Sequence, residues 1–482
     1  MILGLSAGFH DAGASLIDKK GNILFAGHAE RYSGIKNDAN LNQELINDAI
    51  SYGQPMSIAW YENTWLKRTR QLYSGEWRKA IDLNTLPKNL IKPFIKGKLP
   101  IKSYGHHKCH AAAGFQTSPF DNAIAIVVDA IGEWDTISVW ECSYKPVYLG
   151  RPKAVYKKIW HQIYPHSIGL YYSAITKYIG LKPMEDEYIT MGMAAYGKAY
   201  LTAYENNLKL VYDDQEIEFT DNFHTGLEDD YFVGSGLDKF DVAAGAQKVV
   251  EQLLRNIFER FATRQTNVVF MGGVALNCVA NAMLEGHCSL GAAALQWGKK
   301  LRWKGPYLGH NIPGKYPIDK IIGTLMSEKI VGVASGRAEF GPRALGTRSL
   351  LADPRGEDIK DKVNAIKKRQ KFRPFAPMIL EEHFMDNFVC YKKQSEPYMQ
   401  SVYKCKHPEL YPAIVHKDGT SRVQTVGKND HPDVRALLEK WYFMTGCPML
   451  LNTSLNIKGQ PMVNNRSDAN KFEKRYGVKV WS

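Results

Sequence analysis

The sequence predicts an α/β protein with two domains. The evidence is its length, a set of apolar strands that end in Gly or Asp, and the amphipathic helices between them. A chain of 482 residues and 54.4 kDa is too long for one ordinary hydrophobic core. A turn-rich stretch at 303–330 precedes a new strand, so we place the boundary near residue 325. The expected domains are therefore residues 1–325 and 326–482.

Three segments predict strands that lead into turns of small residues. "ILGLSAG" is followed by "HDAGASLID", and "NAIAIVVDAIGEWDTISVWEC" holds a strand ending at Asp129 and a returning strand. "NVVFMGGVALN" runs into Gly272 and Gly273. Apolar residues at helical spacing fill "NQELINDAISYG", "SIGLYYSAITKYIG" and "GAQKVVEQLLRNIFERFATRQ". Strand ends that precede helices are where α/β folds bind phosphates and metals.

Composition argues against a membrane or disulfide-framework protein. The chain has no run of 18 apolar residues, and its start lacks a basic leader, so we expect a cytoplasmic protein without membrane association. Its seven cysteines form no CxxC pair, which predicts reduced thiols.

The net charge of +13 is concentrated in residues 60–102, where ten Lys or Arg face three acids and alternate with aromatic residues. Basic side chains neutralise a phosphate backbone and aromatic rings stack on bases, so this segment predicts contact with DNA or a nucleotide. The alternative is a solvated basic face over an ordinary aromatic core.

The stretch "YGHHKCHAAAGF" carries the candidate metal ligands. His106 and His110 stand four residues apart and would share one face of a helix, and Asp129 is a candidate third ligand. On spacing alone, a metal pair, a catalytic base with its orienting partner and a plain helix start all remain open. Gly272, Gly273 and the following Asn277 are candidates for close approach to phosphate or ribose.

The C-terminal part is rich in arginine and amide motifs that predict a pocket for ATP and a second small anion. Arginine's planar fork suits bidentate contact with phosphate or carboxylate. The candidate residues are Arg343 and Arg348 in "SGRAEFGPRALGTRS", Lys367 and Arg373 in "IKKRQKFRPFAP", Arg422 in "HKDGTSRVQTV", and Asn452 and Ser454 in "LLNTSLNIKGQP".

These motifs, in this order, resemble the O-carbamoyltransferases related to the nodulation-factor, cephamycin, novobiocin and tobramycin enzymes. The resemblance covers nearly the whole chain, from "HDAGASL" through "HHKCHAA" and "GRAEFGPRALGTRS" to "NTSLNIKGQP". It implies an N-terminal domain of the actin/Hsp70/sugar-kinase type, similar to Kae1, followed by a YrdC-like α/β domain. The C-terminal domain would make carbamoyl-adenylate from carbamoyl phosphate and ATP, and the N-terminal domain would transfer the carbamoyl group to an acceptor hydroxyl.

The resemblance also implies roles for individual residues. A divalent metal, Fe2+ or Mg2+/Mn2+, would bind His106, His110 and Asp129. Carbamoyl phosphate and nucleotide would bind Lys367, Arg373 and Arg422, with Arg343 and Arg348 in support, and His10 and Asp11 would lie near the acceptor. The family's strand with a fourth, aspartate ligand is missing here, so Glu285 or His287 would have to substitute for that aspartate.

The acceptor is the least constrained part of the prediction. The basic segment 60–102 favours a 5-hydroxymethyl-pyrimidine in DNA or a nucleotide, as would suit a phage that modifies its own genome. The alternatives are a sugar or antibiotic hydroxyl, a threonylcarbamoyl-type tRNA modifier, and a non-catalytic nucleic-acid-binding protein. The last would have no use for the internal arginine pocket. A homodimer is an open option for the assembly.

Overall fold

The computed structural model describes residues 1–482 except 9–10, 149, 151, 199–200, 264, 278–287 and 391–394. Among the described residues, no helix combines the length and apolar character needed to cross a membrane.

The strands alternate with helices along the chain, which confirms the α/β class. The strands are β1 (Ile2–Ser6), β2 (Gly13–Ile17), β3 (Ile23–His28), β4 (Ser57–Trp60), β5 (Ile101–Ser103), β6 (Asn122–Val128), β7 (Asp135–Lys145), β8 (Lys153–Ile163), β9 (Val211–Asp213), β10 (Glu218–Phe219), β11 (Val268–Met271), β12 (Tyr307–Ile312), β13 (Ile330–Ala334), β14 (Gly336–Glu339), β15 (Arg348–Ala352), β16 (Ala376–Leu380), β17 (Val402–Lys404), β18 (Thr420–Arg422), β19 (Gln424–Val426), β20 (Met449–Ser454) and β21 (Val480–Trp481).

The helices include the three that the sequence predicts, which are α2, α7 and α10 below. They are α1 (Glu30–Ser33), α2 (Gln43–Ser51), α3 (Thr64–Tyr73), α4 (Trp77–Ile81), α5 (Pro87–Ile91), α6 (His106–Thr117), α7 (Ile168–Tyr178), α8 (Glu187–Ala194), α9 (Leu201–Leu208), α10 (Lys239–Phe261), α11 (Cys288–Trp297), α12 (Ile318–Glu328), α13 (Ile359–Ile366), α14 (Phe384–Asn387), α15 (Pro432–Thr445) and α16 (Arg466–Tyr476).

The chain divides into two compact units. The first comprises Met1–Phe25 and Asn40–Trp303, and the second comprises Ala26–Ala39 and Lys304–Ser482. The second unit thus begins ahead of residue 325, because β12 pairs with β14 and α12 packs on β13. It also takes in a short N-terminal segment that sequence reading did not separate from the first domain.

The first unit contains two sheets built on the same plan. One has the strand order β3-β2-β1-β4-β5, and the other has the order β11-β6-β7-β8. In the first sheet β1 is antiparallel to β2 and parallel to β4. In the second, β6 is antiparallel to β7 and parallel to β11. The same strand topology therefore occurs twice, each time with a turn between the first two strands.

The second of these sheets is covered on both faces. Ala125 and Val127 of β6 pack in one apolar cluster with residues of α6, whereas Ile126 and Val128 pack in another with residues of α7 and α10. Alternation along the strand explains this division, since successive side chains point to opposite faces. Asp129 follows immediately, where the buried strand ends.

The second unit is built around a six-stranded sheet of order β19-β16-β20-β15-β13-β21. Its core includes Leu350 and Leu351 of β15, Leu450 of β20 and the fully buried Trp441 of α15. The indole of Trp441 donates to the carbonyl of Met449, which ties α15 to the sheet.

Candidate active site

The first helical turn of α6 brings two of the predicted metal ligands together. The helix starts at His106, so His106 and His110 share one face, and their Nε2 atoms lie 3.2 Å apart. His107 points elsewhere and contacts the hydroxyl of Ser138 through Nδ1 at 2.8 Å. Burial, followed by the charge of His106, lowers the pKa of His107 to about 3, so this imidazole is neutral and packs as part of the interior.

Asp129 completes the predicted trio. Its Oδ2 lies 3.0 Å from Nε2 of His106 and 3.3 Å from Nε2 of His110. Its Oδ1 accepts from the backbone N–H groups of Ala130 and Gly273, at 2.8 and 3.3 Å. One carboxylate oxygen is thus held by the backbone while the other faces the imidazoles.

The glycine turn after β11 packs closely against Val128 and the carboxylate of Asp129. Gly272 has φ +97°, and a Cβ there would lie 2.2 Å from the carbonyl oxygen of Val128. At Gly273 a Cβ would lie 2.9 Å from Oδ1 of Asp129. Both glycines, predicted to approach a phosphate or ribose, here allow close approach to the strand that carries Asp129. Asn277 lies deeper and exchanges two side-chain hydrogen bonds with Gln247 of α10.

A fourth potential ligand is Cys288, which sequence reading did not identify. Its Sγ lies 3.3 Å from Nε2 of His110 and 4.0 Å from Nε2 of His106. Ligand atoms of His106, His110 and Cys288 all lie within 4.8 Å of one another. Glu285 and His287, the substitutes expected from the sequence, lie outside the described residues. The available signal was Gly291, three residues after Cys288, which marks the face of α11 that packs closely on α6.

Neighbouring side chains support the trio. Oε1 of Glu133 accepts from the backbone N–H of His106 at 3.0 Å and from that of Asn63 at 2.6 Å. The ring of Tyr61 lies edge-on to His106, with centroids 5.6 Å apart, and its hydroxyl donates to the carbonyl of Ala7. Burial raises the pKa of Glu133 despite the opposing charge of His106.

His106, His110 and Asp129 lie close enough to shift one another's pKa values. Burial would lower the pKa of His106 and of His110, but the charges and hydrogen bonds around them outweigh it. The hydrogen bond and charge of Asp129 raise the pKa of His106. The charge of Cys288, together with the hydrogen bond to Asp129, raises the pKa of His110 to about 9. Burial opposes ionisation of Asp129, yet the hydrogen bonds from both imidazoles hold its pKa well below the usual range. A bound metal ion would therefore displace protons from the imidazoles.

The N-terminal pair is described only in part. His10 lies outside the described residues. Asp11 lies in the turn between β1 and β2, with φ +55° in the left-handed region. The same turn starts at Ala7, whose carbonyl accepts from Tyr61 beside His106. This contact links the turn to the surroundings of the histidine pair within the first unit.

In the second unit, the structure gathers Lys367 with Ser454 and Asn456. The ammonium of Lys367, which is 4% exposed, donates to the carbonyl and hydroxyl of Ser454 and to the backbone and side-chain oxygens of Asn456. All four acceptors are neutral. Burial, and then the charges of Arg369 and Arg373, lower the pKa of Lys367 well below its usual range.

The guanidinium of Arg348, a predicted nucleotide-binding group, is surrounded by backbone carbonyls. Arg348 is fully buried, and its guanidinium donates to backbone carbonyls of Asn464, Ser335, Thr347, His310 and Gly336 at 2.8 to 3.2 Å. Every N–H of the guanidinium faces a backbone oxygen. Arg348 therefore organises the chain around β15 and offers no N–H to a phosphate in this structure.

The remaining predicted residues of the second unit differ in burial. Asn452 of β20 is buried and donates to the carbonyl of Ala344 and to Oε1 of Gln424, while its own Oδ1 has no hydrogen-bond partner among the described residues. The half-buried positions are Arg343, Arg373 and Arg422.

Some basic side chains of the segment 60–102 form ion pairs and hydrogen bonds within the segment. Lys67 pairs with Glu62, and Arg70 pairs with Glu76, each at 3.0 Å. The buried Arg68 donates to the carbonyl of Asp82. Seven basic side chains remain exposed, namely Arg78, Lys79, Lys88, Lys92, Lys96, Lys98 and Lys102.

The aromatic residues of this segment also fall into two groups. Trp60 and Tyr61 are buried, as the plain-core alternative expected. Trp65, Tyr73 and Trp77 are 68%, 70% and 64% exposed, which is unusual for such large rings. The ring of Tyr73 packs 5.4 Å from that of Trp134, which follows Glu133 in the chain.

The doubled sheet plan places the chain among the α/β proteins. The chain belongs to the carbamoyltransferase family. Residues 61–290 match the family model described as "Carbamoyltransferase N-terminus", and residues 322–481 match "Carbamoyltransferase C-terminus". It is a carbamoyltransferase, as the resemblance predicts.

Relatives extend along most of the chain. An uncharacterised protein of Synechocystis sp. is 31% identical over 97% of this chain and 93% of its own length. Nodulation protein NolNO of Sinorhizobium fredii is 28% identical over 95% of this chain and 76% of its own. Among solved structures, an activator of 2-hydroxyisocaproyl-CoA dehydratase from Clostridium difficile aligns with 61% of this chain and 94% of its own, at 10% identity and a TM-score of 0.32.

Proposed function

We propose that the protein is an ATP-dependent O-carbamoyltransferase that uses carbamoyl phosphate. The observation that carries this proposal is a buried ammonium, that of Lys367, whose described acceptors are all neutral oxygens. A buried charge without an opposite charge is costly, and a phosphate or carbamoyl phosphate anion would offset that cost. Arg373 adds positive charge at the same place, as its effect on the pKa of Lys367 indicates.

The second unit would form carbamoyl-adenylate. Hydrolysis of carbamoyl phosphate releases phosphate and carbamate, and a carbamate oxygen then attacks the α-phosphorus of ATP and expels pyrophosphate. Lys367, Arg373 and Arg422 would neutralise the phosphates as charge moves between them. Arg343, Asn452 and Ser454 would position the nucleotide, and Arg348 would hold the backbone of this site in place.

The first unit would transfer the carbamoyl group to the acceptor. His106, His110 and Asp129 fit a divalent cation, because two imidazoles and a carboxylate oxygen converge within 3.0 to 3.3 Å. When bound, such an ion polarises a carbamoyl carbonyl or holds the adenylate phosphate. His10 or Asp11 would accept the proton of the attacking hydroxyl, whose oxygen bonds to the carbamoyl carbon as AMP leaves.

For the acceptor, we favour a 5-hydroxymethyl-pyrimidine in DNA or in a nucleotide. The exposed rings of Trp65, Tyr73 and Trp77 stand among exposed basic side chains, a combination that stacks on bases and neutralises phosphates. In duplex DNA the base would have to be flipped, at a cost of a few kcal/mol. The second candidate is a sugar hydroxyl, because flat exposed aromatic rings also suit the apolar face of a sugar.

The test is incubation with ATP, carbamoyl phosphate, a divalent metal and one acceptor at a time. The acceptors are DNA containing 5-hydroxymethylcytosine, the free nucleotide and an aminoglycoside. Mass spectrometry should show the gain of one carbamoyl group together with release of AMP. Absence of both products with every acceptor, and of any pyrophosphate release, would reject the proposed reaction.

A second measurement isolates the DNA acceptor. Charge reversal at the exposed Arg78, Lys88 and Lys92 should weaken DNA binding and flatten its salt dependence, because fewer counterions are released. The matched control reverses the exposed Lys315, Lys471 and Lys474 of the second unit. If both triple variants weakened DNA binding equally, overall charge would explain the effect, and the proposal of a DNA acceptor would lose its support.

A further inference from the structure

Two close contacts with the backbone fix the position of the first turn of α11, which carries Cys288. A Cβ at Gly4 of β1 would lie 1.9 Å from the carbonyl oxygen of Ser289, and a Cβ at Gly291 would lie 1.9 Å from that of Cys109 in α6. Only glycine permits either approach. The hydroxyls of Ser15 and Ser289 add a hydrogen bond of 3.0 Å. The first turn of α11 is thereby held between β1 and α6.

This placement directs the thiol of Cys288 at the histidine pair. Cys288 lies three residues before Gly291, so both occupy the face of α11 that contacts α6. Its Sγ is 3.3 Å from Nε2 of His110, and its side chain is buried. The thiol of Cys288 and the carboxylate of Asp129 therefore both lie next to the histidine pair.

The separations between these atoms fit a four-coordinate ion. Bonds of about 2.0 to 2.3 Å in a tetrahedron place ligand atoms about 3.3 to 3.8 Å apart. The separations of the imidazole nitrogens from each other, from Oδ2 of Asp129 and from Sγ of Cys288 run from 3.0 to 4.0 Å. Each of these nitrogen-containing pairs fits a tetrahedral ion after a shift of a few tenths of an ångström.

We propose that Cys288 binds the metal as a thiolate and makes the site selective for a borderline-soft ion. This inference rests on the proposed metal-assisted transfer in the first unit. Thiolate and imidazole ligands favour Zn2+, Fe2+ or Co2+, whereas Mg2+ and Mn2+ prefer sites made of oxygen ligands. Cys288 thus occupies the fourth ligand position, and Mg2+ does not compete effectively for the site.

Cobalt reports directly on the sulfur ligand. The full chain titrated with Co2+ should develop a thiolate-to-cobalt charge-transfer band in the near ultraviolet, together with the intense visible bands of a tetrahedral ion. Cys288→Ser should lose the ultraviolet band and bind Co2+ at least about tenfold more weakly, since even indirect partners of metal ligands contribute that much. A large excess of Mg2+ should leave the wild-type spectrum unchanged.

Controls separate this inference from the proposed reaction. Cys142→Ser, which removes another buried thiol of the first unit, should keep both the band and the affinity. Retention of the band in Cys288→Ser, or its absence from wild type that binds Co2+ through His106 and His110, overturns the thiolate ligand. Failure of wild type to bind Co2+ also overturns it. Carbamoyl transfer, measured separately, then shows whether the proposed reaction survives without the sulfur ligand.

Discussion

The histidine cluster of the first unit and the arginine-rich cluster of the second unit differ in how their charged groups are used. In the first, His106, His110 and Asp129 face one another, and a bound ion would have to displace protons from the imidazoles. In the second, Arg348 donates every N–H to its own backbone, while Lys367 contacts only neutral oxygens among the described residues. Charged motifs that look alike in the sequence can therefore differ in the structure: the guanidinium of Arg348 is satisfied by the backbone, whereas the ammonium of Lys367 has only neutral acceptors among the described residues.

The largest expected effect is in the first unit. His106→Ala combined with His110→Ala should abolish stoichiometric metal binding and slow carbamoyl transfer about a thousandfold or more, because a Lewis acid contributes several kcal/mol to such a step. ATP–pyrophosphate exchange in the presence of carbamoyl phosphate should continue, since the proposed reaction assigns it to the second unit.

The control for this variant is His161→Ala combined with His407→Ala, which removes two exposed imidazoles. Elemental analysis and product mass measure the two effects. Loss of exchange in parallel with transfer would mean that the two units do not divide the reaction as proposed.

Arg348→Met should act mainly on stability. It removes five hydrogen bonds to backbone carbonyls, so we expect the free energy of unfolding to fall by about 3 to 5 kcal/mol. Chemical denaturation of the second unit, followed through tryptophan fluorescence, measures the change. Arg355→Met, which removes a partly exposed partner of Asp353, is the control and should cost far less. A loss of nucleotide affinity at unchanged stability would instead make Arg348 a ligand-binding residue.

Lys367→Met should show the opposite pattern. Pyrophosphate exchange should fall about a hundredfold because the phosphate loses a charge partner. The melting temperature should change little, since removal of a costly buried charge offsets the loss of a donor to the oxygens of Ser454 and Asn456. Lys360→Met, a lysine of α13 that donates to the carbonyl of Val415, serves as the control. A large drop in melting temperature with normal exchange would assign Lys367 a structural role.

The smallest effect is a pH dependence of metal affinity. The pKa values of His106 and His110 are raised in the metal-free protein, that of His110 to about 9, so the imidazole pair retains protons near neutral pH, at least on His110. Metal binding must release those protons, and affinity should rise with pH up to about 9, by up to about tenfold per unit for each proton displaced. Calorimetry in buffers of different ionisation enthalpy counts the protons. An affinity that is flat between pH 6 and 9 would contradict the raised pKa values.

Local rules predict much of the first-unit site. The four-residue spacing of His106 and His110 requires only that residues 106–117 form a helix. The position of Asp129 follows from the apolar strand before it, and Gly272 follows from the need for positive φ at the turn. Such features depend on backbone periodicity and on side-chain size, which are visible in a short stretch of sequence.

Long-range packing decided the rest. Cys288 reaches His110 across 178 positions because two glycines permit close helix and strand contacts. Arg348 likewise finds a backbone partner in Asn464, 116 positions further along the chain. Sequence by itself determined the α/β class, the helix faces and the types of ligand available. Only the tertiary structure decided which charged groups meet one another and which are satisfied by the backbone, because those choices depend on hydrogen-bond partners far apart in the chain.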